Sequence, residues 1–206
     1  MRVLIAGFGP FPGAPFNPTG VLAAALARRR RPFLFGIEIE SHVFTTAYTE
    51  VDRDLRRLFA RKPDAVLIFG LAAGRRHVSV ETRARNAMSL LSPDANGRRP
   101  DCATIDLGKP RSQAGNTPSV FLLSALRRSG VRARLSRDAG RYLCNYAYWQ
   151  ALQRVDGDGP LVQFVHVPRV ATAARRGMFK HRRPSLARLT RACEDLLIAL
   201  VAASRR

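Results

Sequence analysis

The chain has few of the residues that build cross-linked or metal-bound folds. It contains 206 residues and three cysteines, an odd number with no close pairing: Cys102, Cys144 and Cys193. This pattern argues against a disulfide framework and against a four-ligand zinc site. No apolar run approaches the roughly 20 residues that span a bilayer, so no membrane segment is expected. Residues 1–7 break into a glycine–proline turn, unlike a signal peptide, and we expect a cytoplasmic protein with free thiols.

Lysine and acidic residues are also scarce. There are three lysines and 15 acidic residues against a formal net charge of +20, so nearly all the positive charge is arginine. The arginines occur as scattered pairs, whereas a nucleic-acid surface more often interleaves basic and aromatic residues on one element. We therefore expect solvated basic faces and no specific nucleic-acid binding. A basic binding protein built on an inactive enzyme scaffold stays open as an alternative.

Apolar runs typical of strands alternate with patterns of helical spacing. The predicted strands cover residues 2–6, 36–44, 65–69, 77–82, 133–136 and 161–167. The predicted helices cover residues 19–29, 49–61, 116–129, 145–154 and 184–204. The alternation predicts one α/β domain over residues 1–206, with an open, mostly parallel (mixed) twisted sheet in a three-layer α/β/α arrangement. Ligands of such sheets bind beyond the carboxyl ends of the strands.

The segment 86–112 is polar, contains glycine and proline, and shows no periodicity. It is too long for a simple connection, and we expect a functional loop over the site.

One cysteine stands where a reactive thiol is expected. Cys144 follows a polar, glycine-containing turn and precedes the predicted helix 145–154. Unpaired backbone N–H groups and the positive end of the helix dipole favour a thiolate at such a position. His166 lies 22 residues further on, near the end of an apolar strand closed by Pro168. Together the pair indicates a cysteine hydrolase in which the imidazole takes the thiol proton.

A third group should orient the imidazole. Glu81 ends the predicted strand 77–82 and is the best candidate. Asp138 competes with it, but an aspartate at this place more naturally caps the turn that presents the cysteine. The remaining histidines are weaker candidates for the base because none closes an apolar strand: His42, His77 and His181.

The glycine-rich turn at residues 7–13 superficially resembles a dinucleotide-binding loop. The spacing fails, because Pro12 stands where the third glycine belongs and Pro10 removes a backbone donor. Phe8 and Phe11 flank this rigid turn, and their rings could line a pocket for a small apolar or planar group. The alternative is that both side chains are part of the hydrophobic core.

Four segments, taken in order, resemble the pyrrolidone carboxyl peptidases (pyroglutamyl-peptidase I), cysteine peptidases that remove an N-terminal pyroglutamyl residue. The segments are residues 7–13 with Asn17 and Pro18, residues 70–75 leading to Glu81, residues 138–145, and residues 164–168. The cysteine and histidine segments are specific to the family, whereas the glycine turns alone would be weak evidence.

The resemblance implies a role for each residue of the triad. Cys144 would be the nucleophile, His166 the general base and acid, and Glu81 the group that orients His166. The implied substrates are peptides with an N-terminal pyroglutamyl residue. The implied fold is an open mixed sheet between helices, assembled as a homotetramer or dimer, without metal or cofactor.

The resemblance also implies a pocket for the lactam ring. Phe8 and Phe11 would sandwich the ring, and the remaining substrate-binding candidates are Asn17, Thr46, Leu71 and Leu143.

Three positions depart from the family's pattern. Leu71 stands where several members have glutamine, Thr82 where many have arginine, and Leu91 where an arginine is common. We expect these changes to affect lactam recognition and rate. They keep a second substrate class open, another cyclic or blocked amide.

Overall fold

The computed structural model describes residues 1–11, 13–171 and 183–205. The strands of this part are β1 (Arg2–Phe8), β2 (Glu38–Phe44), β3 (Ala65–Leu71), β4 (Val78–Glu81), β5 (Arg83–Arg85), β6 (Ser112–Ala114), β7 (Ala133–Ser136) and β8 (Leu161–Val167). The α-helices are α1 (Pro18–Ala27), α2 (Tyr48–Phe59), α3 (Ser119–Arg128), α4 (Leu143–Leu152) and α5 (Leu186–Ala203). None of the described helices is both long and apolar enough to cross a membrane.

Six strands form one mixed sheet in the order β2-β1-β3-β8-β4-β7. The pairs β2–β1, β1–β3, β3–β8 and β4–β7 are parallel, and β4 runs antiparallel to β8. The central strands β1, β3 and β8 are almost wholly buried, which explains their near-continuous apolar sequences. The predicted open, mostly parallel sheet is confirmed.

Each face of the sheet carries its own apolar layer. Helices α1, α3 and α5 pack on one face, where alternate strand residues such as Ile5 and Leu67 point. Helices α2 and α4 pack on the other face, which we call the α4 face, against Leu4, Ile68 and Phe164. The period-two alternation of each strand therefore sorts its side chains between two cores, and the three-layer arrangement follows.

Two local features differ from the sequence-based prediction. Helix α4 begins at Leu143, two residues before the predicted start, so Cys144 lies inside the first turn. The short antiparallel pair β5–β6 was not predicted, because Arg83–Arg85 and Ser112–Ala114 carry no apolar alternation. This pair joins the two ends of the segment 86–111 and closes it into a loop.

Candidate active site

The thiol of Cys144 lies against the end of strand β3. Gly70 pairs with His166 in the β3–β8 register, so the two residues stand side by side on the sheet. A Cβ placed on Gly70 would lie only 2.8 Å from Cys144 Sγ and 2.7 Å from Phe164 Cζ. Only glycine lets the thiol approach the sheet this closely. The sulfur is thereby placed on the α4 face, from which His166 also projects.

His166 forms a buried pair with Glu81. Its Nδ1 lies 2.8 Å from Glu81 Oε1, and the two residues are 5% and 0% exposed. The antiparallel register sets Ser79 opposite His166, which brings Glu81, two residues along on the same face, within reach of the ring. An ionised carboxylate only accepts hydrogen bonds, so in the neutral imidazole Nδ1 carries the proton and Nε2 has the lone pair. That leaves Nε2 available as a base.

Arg75 is a further member of the site, and sequence reasoning gave it no role. Its Nη1 donates to Glu81 Oε1 at 2.6 Å, and its Nη2 donates to the carbonyl oxygen of Asp138 at 2.6 Å. The arginine stands six residues before a carboxylate that ends a buried strand, and this spacing was the only signal in the sequence. The guanidinium joins the triad carboxylate to the turn that leads to Cys144.

The surroundings of Cys144 favour the protonated form of its thiol. Burial raises its pKa to about 12, with a further contribution from the negative charge of Glu81. Arg75 and a backbone N–H lower the pKa, but they do not offset the burial. Desolvation thus opposes the thiolate that the helix start was expected to favour.

The turn before Cys144 is held by Asp138, as the sequence predicted. Its Oδ1 accepts a hydrogen bond from Gly140 N–H at 2.9 Å, and its own N–H donates to Ser136 Oγ at 3.2 Å. Gly140 has a φ of 84°, in the left-handed region that favours glycine. Asp138 thus shapes the turn, and the carboxylate that meets His166 is Glu81.

Asn145 fastens the first turn of α4 to the neighbouring loop. Its side chain is fully buried and accepts from Arg85 N–H at 2.8 Å. Its Nδ2 donates to the carbonyl oxygens of Arg85 at 2.8 Å and Ala87 at 3.0 Å. The residue after Cys144 is therefore an anchor for strand β5 and for the loop that follows it.

The two phenylalanines of the N-terminal turn have different surroundings. Phe8 is 2% exposed, and its ring centroid lies 5.4 Å from that of Phe44. Phe11 is partly exposed, and its ring lies 6.3 Å from that of Tyr142. Sequence reasoning missed Tyr142, which precedes Leu143 in the same motif and donates to the carbonyl of Pro93 at 2.8 Å.

Asn17 and Thr46 both hold the carbonyl of Gly9 within that turn. Asn17 Nδ2 donates to it at 3.0 Å and Thr46 Oγ1 at 3.4 Å. Asn17 also caps α1, since its Oδ1 accepts from Thr19 N–H. Asn17 and Thr46 therefore both contact the turn that carries Phe8 and Phe11, which we call the phenylalanine turn, and they set its shape.

Leu143 and Leu71 are both buried, on opposite sides of the sheet. Leu143 is fully buried and belongs to the α4 core. Leu71 follows Gly70 on β3, and strand alternation directs its side chain to the opposite face. Leucine in place of glutamine therefore changes a side chain directed away from the α4 face.

The other two departures lie at the edges of the site. Thr82 Oγ1 donates to the carbonyl of Ser136 at 3.0 Å and so links the ends of β4 and β7. Leu91 is 86% exposed, and its side chain points into solvent.

Buried polar side chains order the loop 86–111. Asn86 accepts from Asp106 N–H and donates to the Asp106 carbonyl, both at 2.8 Å. Asp94 is 2% exposed and accepts from Tyr48 N–H at 3.2 Å, while Trp149 Nε1 donates to Asp106 at 2.5 Å. The loop is thereby tied to α2 and α4, next to the turn that presents the cysteine.

The remaining candidates lie apart from the triad or outside the described residues. His42 pairs with Asp54 at 2.8 Å on the β2–α2 side. Burial, followed by the charges of Arg134 and Arg75, lowers the pKa of His77. His181 lies outside the described residues. Cys193 is buried in the core and Cys102 is exposed.

The described residues contain no group of three or more histidines, cysteines or carboxylates placed to hold a metal ion.

A thiol in the first turn of a helix, beside an imidazole paired with a buried carboxylate, is the arrangement of a cysteine hydrolase. The mixed sheet between two helical layers gives this hydrolase an α/β scaffold. Comparison with known proteins narrows the class to one family. The family model described as pyroglutamyl peptidase matches residues 1–206, and the chain belongs to this family.

Relatives and solved structures agree with this assignment. The chain is 32% identical to the pyrrolidone-carboxylate peptidase of Thermococcus kodakarensis over 171 residues, which is 82% of this chain and 81% of that protein. The crystal structure of pyrrolidone carboxyl peptidase from Thermus thermophilus has a TM-score of 0.84 at 29% identity, covering 96% of this chain and 99% of that one. The enzyme from Thermococcus litoralis has a TM-score of 0.85 at 27% identity, covering 98% and 93% of the two chains.

Proposed function

We propose that Cys144, His166 and Glu81 catalyse removal of an N-terminal pyroglutamyl residue from peptides. Cys144 Sγ attacks the pyroglutamyl carbonyl carbon while His166 Nε2 accepts the thiol proton. Backbone N–H groups at the start of α4 stabilise the oxyanion. His166 then protonates the departing amine, which leaves a thioester on Cys144. Water, activated by His166, hydrolyses this thioester and releases free pyroglutamate.

The observation that carries the proposal is the meeting of three distant segments at one point of the sheet. His166 and Glu81 form a buried pair at 2.8 Å, and Gly70, the register partner of His166, is the residue against which Cys144 Sγ packs. A neutral thiol suits this arrangement, because His166 removes the proton during the attack and no preformed ion pair is required.

The pocket proposed for the lactam ring lies beside the phenylalanine turn. Of the apolar residues, Phe11 is partly exposed, and Phe8 and Leu143 are buried behind the turn. Asn17 and Thr46 hold the turn through Gly9. A lactam carries no charge, so it enters such a pocket without the desolvation cost of a free α-amino group. Leu71 contributes backbone groups on this side, and these do not depend on its side chain.

The proposal is tested by release of a fluorogenic amine from a pyroglutamyl conjugate. Wild type should turn over the conjugate, and Cys144→Ala should lower kcat by more than about 10⁴-fold while keeping the same thermal midpoint. Cys102→Ala, the matched control at an exposed thiol, should leave the rate unchanged. Folded wild-type protein that leaves the pyroglutamyl conjugate intact but cleaves another cyclic or blocked amide would favour the second substrate class instead.

We also propose that the enzyme works as a homodimer or homotetramer in the cytoplasm. Exposed large apolar side chains, such as Phe16 and Phe35 at 54% and 67%, offer surface for assembly. A reducing compartment keeps a catalytic thiol free. Sedimentation analysis giving a monomer at assay concentrations would contradict the assembly.

A further inference from the structure

We propose that Arg75 is the positioning residue of the triad: it balances the charge of Glu81 and fixes the distance between that carboxylate and the turn that delivers Cys144. The inference rests on the proposed function only for the roles of the triad. Its central test measures the thiol itself, so the two can fail separately.

The first step concerns charge. Glu81 is fully buried, and an unpaired buried carboxylate is costly. Within the described residues, its ion-pair partners are His166 and Arg75, both at Oε1. In the proposed mechanism His166 gains and loses a proton, whereas arginine stays charged throughout. Arg75 is therefore the constant counter-charge beside Glu81 while the imidazole changes its protonation state.

The second step concerns the thiol. A carboxylate that orients the imidazole also lies near Cys144, where its negative charge opposes the thiolate. The positive charge of Arg75 acts on the same sulfur in the opposite sense. The arginine thus lets Glu81 orient His166 while reducing the penalty that its charge imposes on the nucleophile.

The third step concerns geometry. Arg75 is 29% exposed in its side chain and spans two segments with separate N–H groups, Glu81 Oε1 on β4 and the Asp138 carbonyl on the turn before α4, each at 2.6 Å. The guanidinium is planar, with its donors in a fixed fork. Both contacts together therefore set the position of the base relative to the helix of Cys144. A lysine ammonium carries its donors on one nitrogen and offers no such fixed fork.

The experiment compares Arg75→Gln, Arg75→Lys and Arg76→Gln. Arg76 is the adjacent, exposed arginine, so its substitution removes the same charge next to the site without touching the carboxylate. For each variant we would measure kcat and KM on the pyroglutamyl conjugate. We would also measure the rate of Cys144 alkylation by iodoacetamide across neutral to alkaline pH, read by peptide mass spectrometry. Exposed Cys102 serves as the internal reference thiol.

We expect Arg75→Gln to lower kcat by about 100-fold with little change in KM. The substitution keeps all three triad side chains but shifts their relative positions. It should also move the alkylation profile of Cys144 to higher pH, since a charge that favours the thiolate is gone. Arg75→Lys keeps that charge, so its alkylation profile should stay near wild type while kcat remains reduced. Arg76→Gln should match wild type in both measurements.

Two results would overturn the proposal. One is an Arg75→Gln protein with the kcat and alkylation profile of Arg76→Gln. The other is an Arg75→Lys protein with full wild-type kcat. That result would show that catalysis does not depend on the two guanidinium hydrogen bonds to Glu81 and the Asp138 carbonyl. If Arg75→Gln fails to fold, Arg75→Lys still decides, because it preserves the charge and most of the length. Wild-type protein without pyroglutamyl activity would refute the proposed function, yet the alkylation profiles would still test Arg75.

Discussion

What each residue in this site does depends as much on the space and charge around it as on the chemistry of its own side chain. Cys144 has a nucleophilic side chain, yet desolvation raises the pKa of its thiol. Gly70 has no side chain at all, and that absence makes room for the sulfur. Cys144 and Gly70 therefore form one structural unit, in which the sulfur occupies the space that a side chain at position 70 would fill.

Gly70→Ala tests that unit. The added Cβ would stand 2.8 Å from Cys144 Sγ and 2.7 Å from Phe164 Cζ, closer than real Cβ contacts, so the thiol or the ring must move. We expect a loss of about 1–3 kcal/mol in the free energy of unfolding, as for other overpacked cores, together with a severe fall in kcat. Urea denaturation and the pyroglutamyl assay measure the two effects.

Gly74→Ala is the matched control. A Cβ at Gly74 meets no atom of the described structure within 4 Å, so both stability and activity should stay close to wild type. Equal behaviour of the two alanine variants would contradict the close approach of Cys144 to β3.

Among the secondary-structure elements, α4 has two functions. Its first turn carries Cys144, and its buried face fills the α4 core with Tyr148, Trp149 and Leu152. The helix lacks a side-chain N-cap at Tyr142, so its leading backbone N–H groups are not taken up by a capping side chain. Those groups are then available to an oxyanion, and the start of the helix is held instead by Asn145.

Asn145→Ala should separate the helix from the loop that follows β5. The substitution leaves Arg85 N–H and the carbonyls of Arg85 and Ala87 without their partner, at a cost of about 1–3 kcal/mol for such buried groups. Because Asn145 adjoins the nucleophile, we expect kcat to fall as well. Thermal unfolding and steady-state kinetics report the two effects independently.

Asn116→Ala provides the comparison. Asn116 also bridges backbone groups, donating to the carbonyl of Pro160 and accepting from Val162 N–H, each at 2.8 Å, but it lies at the opposite end of β8. The Asn116→Ala protein should be less stable than wild type but should keep the wild-type kcat. A kcat for Asn145→Ala equal to that of Asn116→Ala would show that the anchor does not serve the site.

For the molecule as a whole, the charge of +20 is the property most open to misinterpretation. Part of it is engaged locally: Arg31 pairs with the nearly buried Glu194 at 2.8 Å, Arg61 with Glu40 at 2.8 Å, and Arg75 with Glu81. Much of the rest is spread over exposed positions and attracts polyanions without selecting a sequence.

We therefore expect binding to duplex DNA at low salt that weakens by about a thousand-fold or more between about 50 mM and 200 mM salt, as for contacts made only to phosphates. Fluorescence anisotropy with two unrelated sequences measures this, and the two should behave alike. Tight binding that persists at the higher salt and prefers one sequence would support a nucleic-acid function for the scaffold.

Much of the fold could be predicted because the strands that bury both faces are continuously apolar. Residues 65–69 and 161–167 needed only their composition and their length to be assigned. The pair β5–β6 could not be predicted, since its strands are three residues long and are held by distant neighbours such as Asn145. The role of Arg75 was missed for a related reason: one of its partners is 63 residues away, and the six-residue spacing to Glu81 does not by itself reveal a contact.

The sequence alone established the alternation of strands and helices, the turn that presents Cys144, and His166 at the end of a strand, because each of these is written in neighbouring residues. Tertiary structure was needed to set Gly70 beside His166, to choose Glu81 over Asp138, and to raise the pKa of the thiol by desolvation. Strand register and burial decide those three outcomes. Both arise from contacts between segments far apart in the chain, and the sequence pattern of a single segment does not reveal such contacts.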